Sequence, residues 1–175
     1  MRQIRDALEE LREAGMPLAG ALRLAALHIA AGDESGLSPL FAASLQAHGT
    51  RPDWTALRAL VSAARALTPR LVPDGSNVVQ VGDRPDGFLI VHQGAVRLPN
   101  QQRVRPMGVV GAEAALARRR YRIDAVAEGP TVLLHLPQAE AEALFKGCGI
   151  AARAFALGPR ARRSSAPPMF VRRSG

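Results

Sequence analysis

The side chains that could carry chemistry in this sequence are mainly arginines. They concentrate between residues 118 and 122, and again towards the C-terminal end, between Arg160 and Arg173. A guanidinium group forms paired hydrogen bonds with phosphate oxygens, so such clusters are typical of sites for phosphate-bearing ligands or nucleic acid. A solvated basic surface is the alternative interpretation. The sequence must therefore be searched for elements that position these arginines.

Residue types that serve as nucleophiles and metal ligands are few. The four histidines, His28, His48, His92 and His135, lie too far apart in sequence to match metal-binding spacing. Cys148 is the one cysteine, and the nearby Lys146 could lower the pKa of its thiol, but no partner for nucleophilic catalysis is identifiable. We predict no catalytic residue, no metal site and no cofactor, and we expect a protein that is not an enzyme.

The composition indicates a folded basic protein of 175 residues. The 23 basic residues exceed the 15 acidic ones, giving a net charge of +8, and Lys146 is the one lysine. A mixed-charge N-terminus and a single cysteine predict a cytoplasmic location. The longest apolar stretch, residues 19–31, is interrupted by Arg23 and His28 and is too short to span a membrane. No membrane partner is expected.

Apolar residues at helical spacing predict a helical module over residues 1–68, with helices near 4–14, 17–31, 38–49 and 53–68. Ser38 and Asp53 are the expected N-caps of the last two. The module weakly resembles a tetratricopeptide unit, while a plain bundle or a helical cap on the next domain is the alternative. The apolar faces are wide, which predicts an interaction surface for a protein partner or a second copy of the chain. Its residues are Leu24, Leu27, Leu40 and Phe41.

Short valine-rich runs separated by glycine and proline follow from about Leu71. The expected strands are 77–81, 88–92, 95–98, 109–110, 123–127 and 132–136, with turns at Gly94 and at Gly129–Pro130. A helix is predicted over 138–146 and another over 150–157. The predicted fold is α+β: an N-terminal helical bundle, then an antiparallel β roll or jelly roll over 69–157 with C-terminal helices. Residues 158–175 read as a basic, disordered tail.

Two segments of this region carry a resemblance to a known family. Residues 78–98, with a Gly82-Asp83 turn, an apolar strand and a second glycine at Gly94, resemble the opening hairpins of cyclic nucleotide-binding domains of the Crp-like sensor type. Residues 111–126 are similar to the phosphate-binding cassette of the same family, in which a glycine and a glutamate open a short helix and an arginine precedes a strand. The resemblance implies a β roll that binds a cyclic nucleotide.

The resemblance assigns candidate ligand-binding residues. These are Gly111, Ala112, Glu113, Arg122 and Ile123, with Arg122 as the phosphate-binding arginine. The family's ribose-binding glutamate falls on Ala112, and Glu113 follows one position later, about 100° further around a helix. The position after the arginine, usually Ser, Thr or Ala in the family, is Ile123. Asp124 follows, and a carboxylate close to a phosphate would repel it. If residues 123–127 are a strand, Asp124 shares a face with Arg122 and is expected to form an ion pair with it.

These departures from the family pattern predict a degenerate site. The leading hypothesis is a non-catalytic adaptor or regulatory protein of bacterial signalling, which uses a degenerate cyclic nucleotide-binding-like domain for protein–protein interaction. A genuine cyclic nucleotide sensor is the first alternative, and a nonspecific binder of nucleic acid or acidic partners is the second. A protein partner is expected, a homodimer is allowed, and no sequence-specific DNA binding is expected, because no helix-turn-helix follows residue 145.

Overall fold

A computed structural model describes residues 2–148 and Phe155, and it confirms the predicted α+β class. Four helices precede an antiparallel sheet, a short helix lies between two of its strands, and a further helix follows it. The helices are α1 (Arg2–Glu13), α2 (Leu18–Ala30), α3 (Leu37–Ala47), α4 (Trp54–Ala66), α5 (Ala112–Ala117) and α6 (Gln138–Cys148). The strands are β1 (Thr68–Val72), β2 (Asn77–Val79), β3 (Gly87–Arg97), β4 (Arg103–Val104), β5 (Val109–Val110) and β6 (Ala125–Pro137). Among the described residues, no helix is both long and apolar enough to cross a membrane.

The sheet is organised around two long strands, β3 and β6. They pair antiparallel with each other, with Leu89 opposite His135 and Val96 opposite Ala127. Strand β6 also pairs with β1 and β2, and β3 pairs with β4 and β5. Because β6 is followed directly by α6, its register fixes where that helix starts.

Two turns expected from the sequence are wrong. Gly94 lies inside β3 and Gly129 inside β6, so each strand continues through a local irregularity instead of ending there. Both glycines have positive φ, and the pairing register of β3 and β6 shifts beside Gly94. A Cβ at Gly94 would lie 2.7 Å from the Pro130 carbonyl oxygen and from Thr131 Oγ1, so the strands approach closely there.

Strand β3 contributes side chains to two separate hydrophobic clusters, one on each face of the sheet. Phe88 and Ile90 point to the cluster formed with the N-terminal helices and α6, whereas Leu89 and Val91 belong to a separate cluster inside the roll. Side chains alternate between the two faces of a strand, so a strand covered on both sides is apolar throughout. The helices therefore share one core with the outer face of the sheet, as the cap interpretation of residues 1–68 implies.

The burial of the helices corrects the predicted interaction surface. Leu24, Leu40 and Phe41 are buried, and Leu27 is partly buried and packs against the same core. The wide apolar faces are covered because the four helices pack against one another and α2 and α4 also contact the sheet. These four residues do not form an exposed surface.

Of the two predicted N-cap residues, one is confirmed and the other is wrong. The Asp53 side chain accepts a hydrogen bond from the Ala56 N–H at 2.8 Å, as predicted for α4. The N-cap of α3 is Gly36, with no side-chain hydrogen bond, and Ser38 lies within its first turn. The predicted helix over 150–157, apart from Phe155, and the predicted disordered tail over 158–175 lie outside the described residues.

Candidate functional site

An open cavity of about 330 Å³ lies between α5 and the segment that leads into β6. One wall is the start of the cassette, and the other is the chain from Arg119 onward. The lining residues are Gly111, Ala112, Glu113, Ala114, Ala117, Arg119, Arg120, Tyr121, Arg122 and Ile123. The structure thus brings all five candidate ligand-binding residues together around one cavity.

Gly111 shapes the entrance to α5. Its φ is +64°, which is the left-handed region, and a Cβ there would lie 2.4 Å from the Tyr121 ring. Only glycine fits both constraints. Close contact between the Gly111 backbone and Tyr121 therefore holds the two walls of the cavity together.

Tyr121 fixes the second wall. Its N–H donates to the Asp83 carbonyl oxygen and its own carbonyl oxygen accepts from the Gly82 N–H, both at 2.9 Å. The side chain is buried, and this burial, with a smaller contribution from the charge of Asp86, raises the pKa of the phenol. Tyr121 is neutral at physiological pH and serves as a packing residue in the wall.

The arginines around the cavity differ in their partners. Arg118 forms an ion pair with Glu142 of α6, and Arg120 donates a hydrogen bond to the Gly82 carbonyl oxygen. Arg119 and Arg122 are exposed, and within the described part of the chain neither side chain forms an ion pair or hydrogen bond. These two guanidinium groups are therefore available to a ligand.

The expected ion pair between Arg122 and Asp124 is wrong. Residues 121–124 precede the strand, because β6 begins at Ala125, so strand alternation does not place the two side chains on one face. Asp124 Oδ1 instead accepts a hydrogen bond from the Val81 N–H at 2.8 Å. Asp124 is not among the residues that line the cavity.

Glu113 also differs from its expected position. Counting along the cassette places it one residue after the family's glutamate and turned away, yet it lines the cavity beside Ala112. The helix it belongs to has only six residues and starts from a left-handed Gly111, so ideal helical counting from Arg122 does not locate its positions. Counting therefore did not predict that Glu113 lines the same cavity as Arg122.

Sequence reasoning missed Tyr121 and Arg119 as parts of this site. Tyr121 is the one tyrosine of the chain and directly precedes Arg122, which is a usable signal. Arg119 looked like one member of a basic run. Arg118 ends α5 in the left-handed conformation, at φ +50°, and pairs with Glu142 of α6, whereas Arg119 lines the cavity.

Cys148, the one cysteine of the chain, has a structural role. Cys148 is buried at the end of α6 with its Sγ 3.6 Å from the Ala56 carbonyl oxygen, and burial raises the pKa of the thiol to about 11. A lowering of the thiol pKa by the nearby Lys146 is therefore wrong as an expectation. No group of three or more metal-ligating side chains occurs within residues 2–148 or at Phe155.

Comparisons with known proteins give the family of the sheet region. Residues 69–148 match the family model of the cyclic nucleotide-binding domain. No curated protein sequence matches the chain. Among solved structures, the Thermus thermophilus catabolite activator protein is 25% identical with a TM-score of 0.48, and it aligns over 57% of this chain and 51% of its own.

Two further solved structures are similar to part of the chain. A cyclic nucleotide-binding domain from Methylobacillus flagellatus is 16% identical, with a TM-score of 0.47 and 56% and 60% of the two chains covered. The regulatory domain of Toxoplasma gondii PKA, solved with cAMP, is 20% identical, with a TM-score of 0.47 and 55% and 40% covered. The chain thus spans between two fifths and three fifths of these relatives. Its residues 69–148 form a domain of the cyclic nucleotide-binding family.

Proposed function

We propose that this chain is a non-catalytic regulatory protein whose cassette cavity binds a small phosphate-bearing ligand of the cyclic nucleotide class. The observation that carries the proposal is the Arg122 guanidinium, which borders the cavity and has no protein partner among the described residues. Asp124, the nearest carboxylate in sequence, is held by the Val81 N–H. An unpaired arginine beside an open cavity is suited to a phosphate group.

The charge and size of the cavity support the same ligand class. Three arginines and one glutamate line it, so its formal charge is +3 −1, or +2. Its volume of about 330 Å³ falls at the lower end of the range that small-molecule sites occupy, roughly 300–1,000 Å³. Glu113 offers a carboxylate acceptor for hydroxyl groups in the same space.

The hypothesis of a degenerate site rested on Ala112, Ile123 and Asp124, and on a Glu113 turned away. The geometry of Asp124 and Glu113 differs from that expectation, which weakens two of these reasons. The replacements at Ala112 and Ile123 stand. The protein-interaction hypothesis stays a prediction, but its four named residues are buried or partly buried. We therefore place ligand sensing ahead of the adaptor role.

Ligand-dependent thermal unfolding of the full chain tests the proposal. A ligand at about 100 times its Kd stabilises a protein by about 2.7 kcal/mol, which is a readily measured shift in Tm. We expect cyclic AMP or cyclic GMP to raise the Tm of the wild type and not that of Arg122→Gln. Arg97→Gln is the matched control, because Arg97 is exposed on β3 and does not line the cavity. Equal shifts in the two variants would refute the site.

A further inference from the structure

A second cavity lies in a groove between α4 and α6. It has a volume of about 300 Å³. The lining residues are Trp54, Thr55, Arg58, Ala59, Ser62, Glu140, Ala143 and Gly147. The two helices cross closely at its floor, where a Cβ on Gly147 would lie 2.7 Å from the Ala59 Cβ.

Trp54 makes this groove unusual. Its side chain is 78% exposed, the most exposed large hydrophobic side chain among the described residues. It begins α4 directly after the Asp53 cap, so its position is fixed by a helix start and does not depend on packing. A largely exposed tryptophan beside a floor of small side chains leaves apolar surface that an aromatic side chain could cover.

We propose that the groove between α4 and α6 is the docking site of the chain's own residues 169–171, with Phe170 packed against Trp54. Residues 158–175 contain five arginines and no acidic residue, and Met169, Phe170 and Val171 are their one run of large apolar side chains. The described chain reaches Cys148 beside Gly147, which lines the groove. Phe155 is buried against Phe88 and Phe145, so the tether starts there. The 15 residues from Phe155 to Phe170 can span up to about 50 Å, so reach does not limit docking.

The charges at the groove favour this occupant. Glu140 lines it and the exposed Asp53 flanks its Trp54 end, against the single Arg58. Arg172 and Arg173 follow the apolar run directly, so a docked Phe170 brings them towards these carboxylates. Exposed ion pairs contribute little to affinity, and their role here is to orient the segment.

Tethering makes a weak contact sufficient. A segment on the same chain has an effective concentration on the order of millimolar at its site. If the free segment binds with a Kd of about 0.1 mM, the tethered one occupies the groove about nine tenths of the time.

Trp54 reports the occupancy directly, because it is the one tryptophan of the chain. We compare acrylamide quenching and emission wavelength of the full-length protein with those of Phe170→Ala. We expect the quenching constant to rise at least about twofold in the variant, since the site is then mostly empty. Ala143→Gln, which fills the exposed groove wall, is expected to give the same rise, and the double variant no further rise.

Ala139→Gln is the matched control, because Ala139 is also exposed on α6 but lies outside this groove. It is expected to quench as the wild type does. Identical quenching of the wild type and Phe170→Ala would overturn the proposal. Protection of Trp54 that appears only as protein concentration rises would also overturn it, because it would mean that a second copy covers the groove.

Discussion

Asp124 and Val81 are joined by a hydrogen bond of 2.8 Å from the Val81 N–H to Asp124 Oδ1. This bond ties the residues that follow β2 to the residues that precede β6, on the side of the roll where the cassette lies. It also gives the Asp124 carboxylate a partner other than Arg122. A carboxylate close to the phosphate would repel it, and this bond holds the Asp124 carboxylate on Val81 instead.

Replacement of Asp124 tests that relationship. In Asp124→Ala the Val81 N–H loses its acceptor, and we expect the free energy of unfolding to fall by about 0.5–1.5 kcal/mol in a denaturant titration. Affinity for a cyclic nucleotide should stay within about twofold, because Asp124 does not line the cavity. A twofold change in Kd corresponds to about 0.4 kcal/mol of binding free energy. An affinity gain of tenfold or more would mean that Asp124 faces the ligand.

Alanine substitutions at Gly111 and Gly129 separate the cost of a positive φ from the cost of a steric clash. Gly111→Ala meets both a positive φ and the Tyr121 ring, whereas Gly129→Ala meets a similar φ of +75° with open space around the Cβ. We expect about 1 kcal/mol of destabilisation at Gly129 and roughly 1–3 kcal/mol more at Gly111, where the wall of the cavity must also shift. Equal losses in chemical denaturation would show that Tyr121 moves aside without cost.

The shared core predicts that helices and sheet unfold together. Phe41 of α3 and Phe88 of β3 are both fully buried in one cluster, and Phe88 makes an edge-to-face contact with Phe145 of α6 at a ring-centroid distance of 5.6 Å. Phe41→Ala and Phe88→Ala are each expected to lower the free energy of unfolding by about 3–5 kcal/mol.

Calorimetry distinguishes a shared core from separate modules. Both variants should keep a single unfolding transition at a lower Tm, because each cavity weakens the same cooperative unit. Two resolved transitions, with Phe41→Ala shifting only one of them, would contradict a shared core.

The buried Cys148 thiol predicts how the stability of the protein depends on pH. Burial raises the pKa of Cys148 from 9.0 to about 11, so above pH 9 the unfolded chain loses this proton while the folded chain retains it. The unfolded state then binds fewer protons, and stability falls as pH rises from 9 towards 11. The raised pKa of Tyr121 acts in the same direction. Cys148→Ser should show a shallower decline in denaturation midpoints over this pH range than the wild type, and an identical decline would count against this assignment.

Reactivity of the same thiol is a second readout. Alkylation of native Cys148 at pH 8 is expected to be slow and to become fast in denaturant, because the thiolate is the reactive form and the side chain is buried. Rapid labelling of the native protein would show that the end of α6 opens readily.

The sequence predicts much of this fold because its strongest signals are local. Helical periodicity and the Asp53 cap locate α4, and valine-rich runs locate most strands. Gly94 and Gly129 misled the prediction because a positive-φ glycine serves equally in a turn and in an irregular strand. Which of the two it serves depends on cross-strand pairing, here between β3 and β6, which no local pattern encodes.

The site was predicted in outline and missed in detail for a related reason. The resemblance in sequence predicted five of the residues that line the cavity, Gly111 and Arg122 among them. The directions of Glu113 and Asp124 depend on a six-residue helix with left-handed residues at both ends and on a hydrogen bond to Val81, 43 positions away in sequence. Leu24 and Phe41 were misjudged because an apolar helix face looks the same whether this chain or another covers it.

Calorimetric titration of the full-length protein with cyclic AMP and with cyclic GMP tests the central claim most directly. An unpaired Arg122 beside a cavity of formal charge +2 predicts a saturable heat with one site per chain. We expect a Kd in the micromolar range for at least one of the two, which corresponds to about 8 kcal/mol of binding free energy. The absence of saturable heat with both nucleotides up to millimolar concentration would contradict the account.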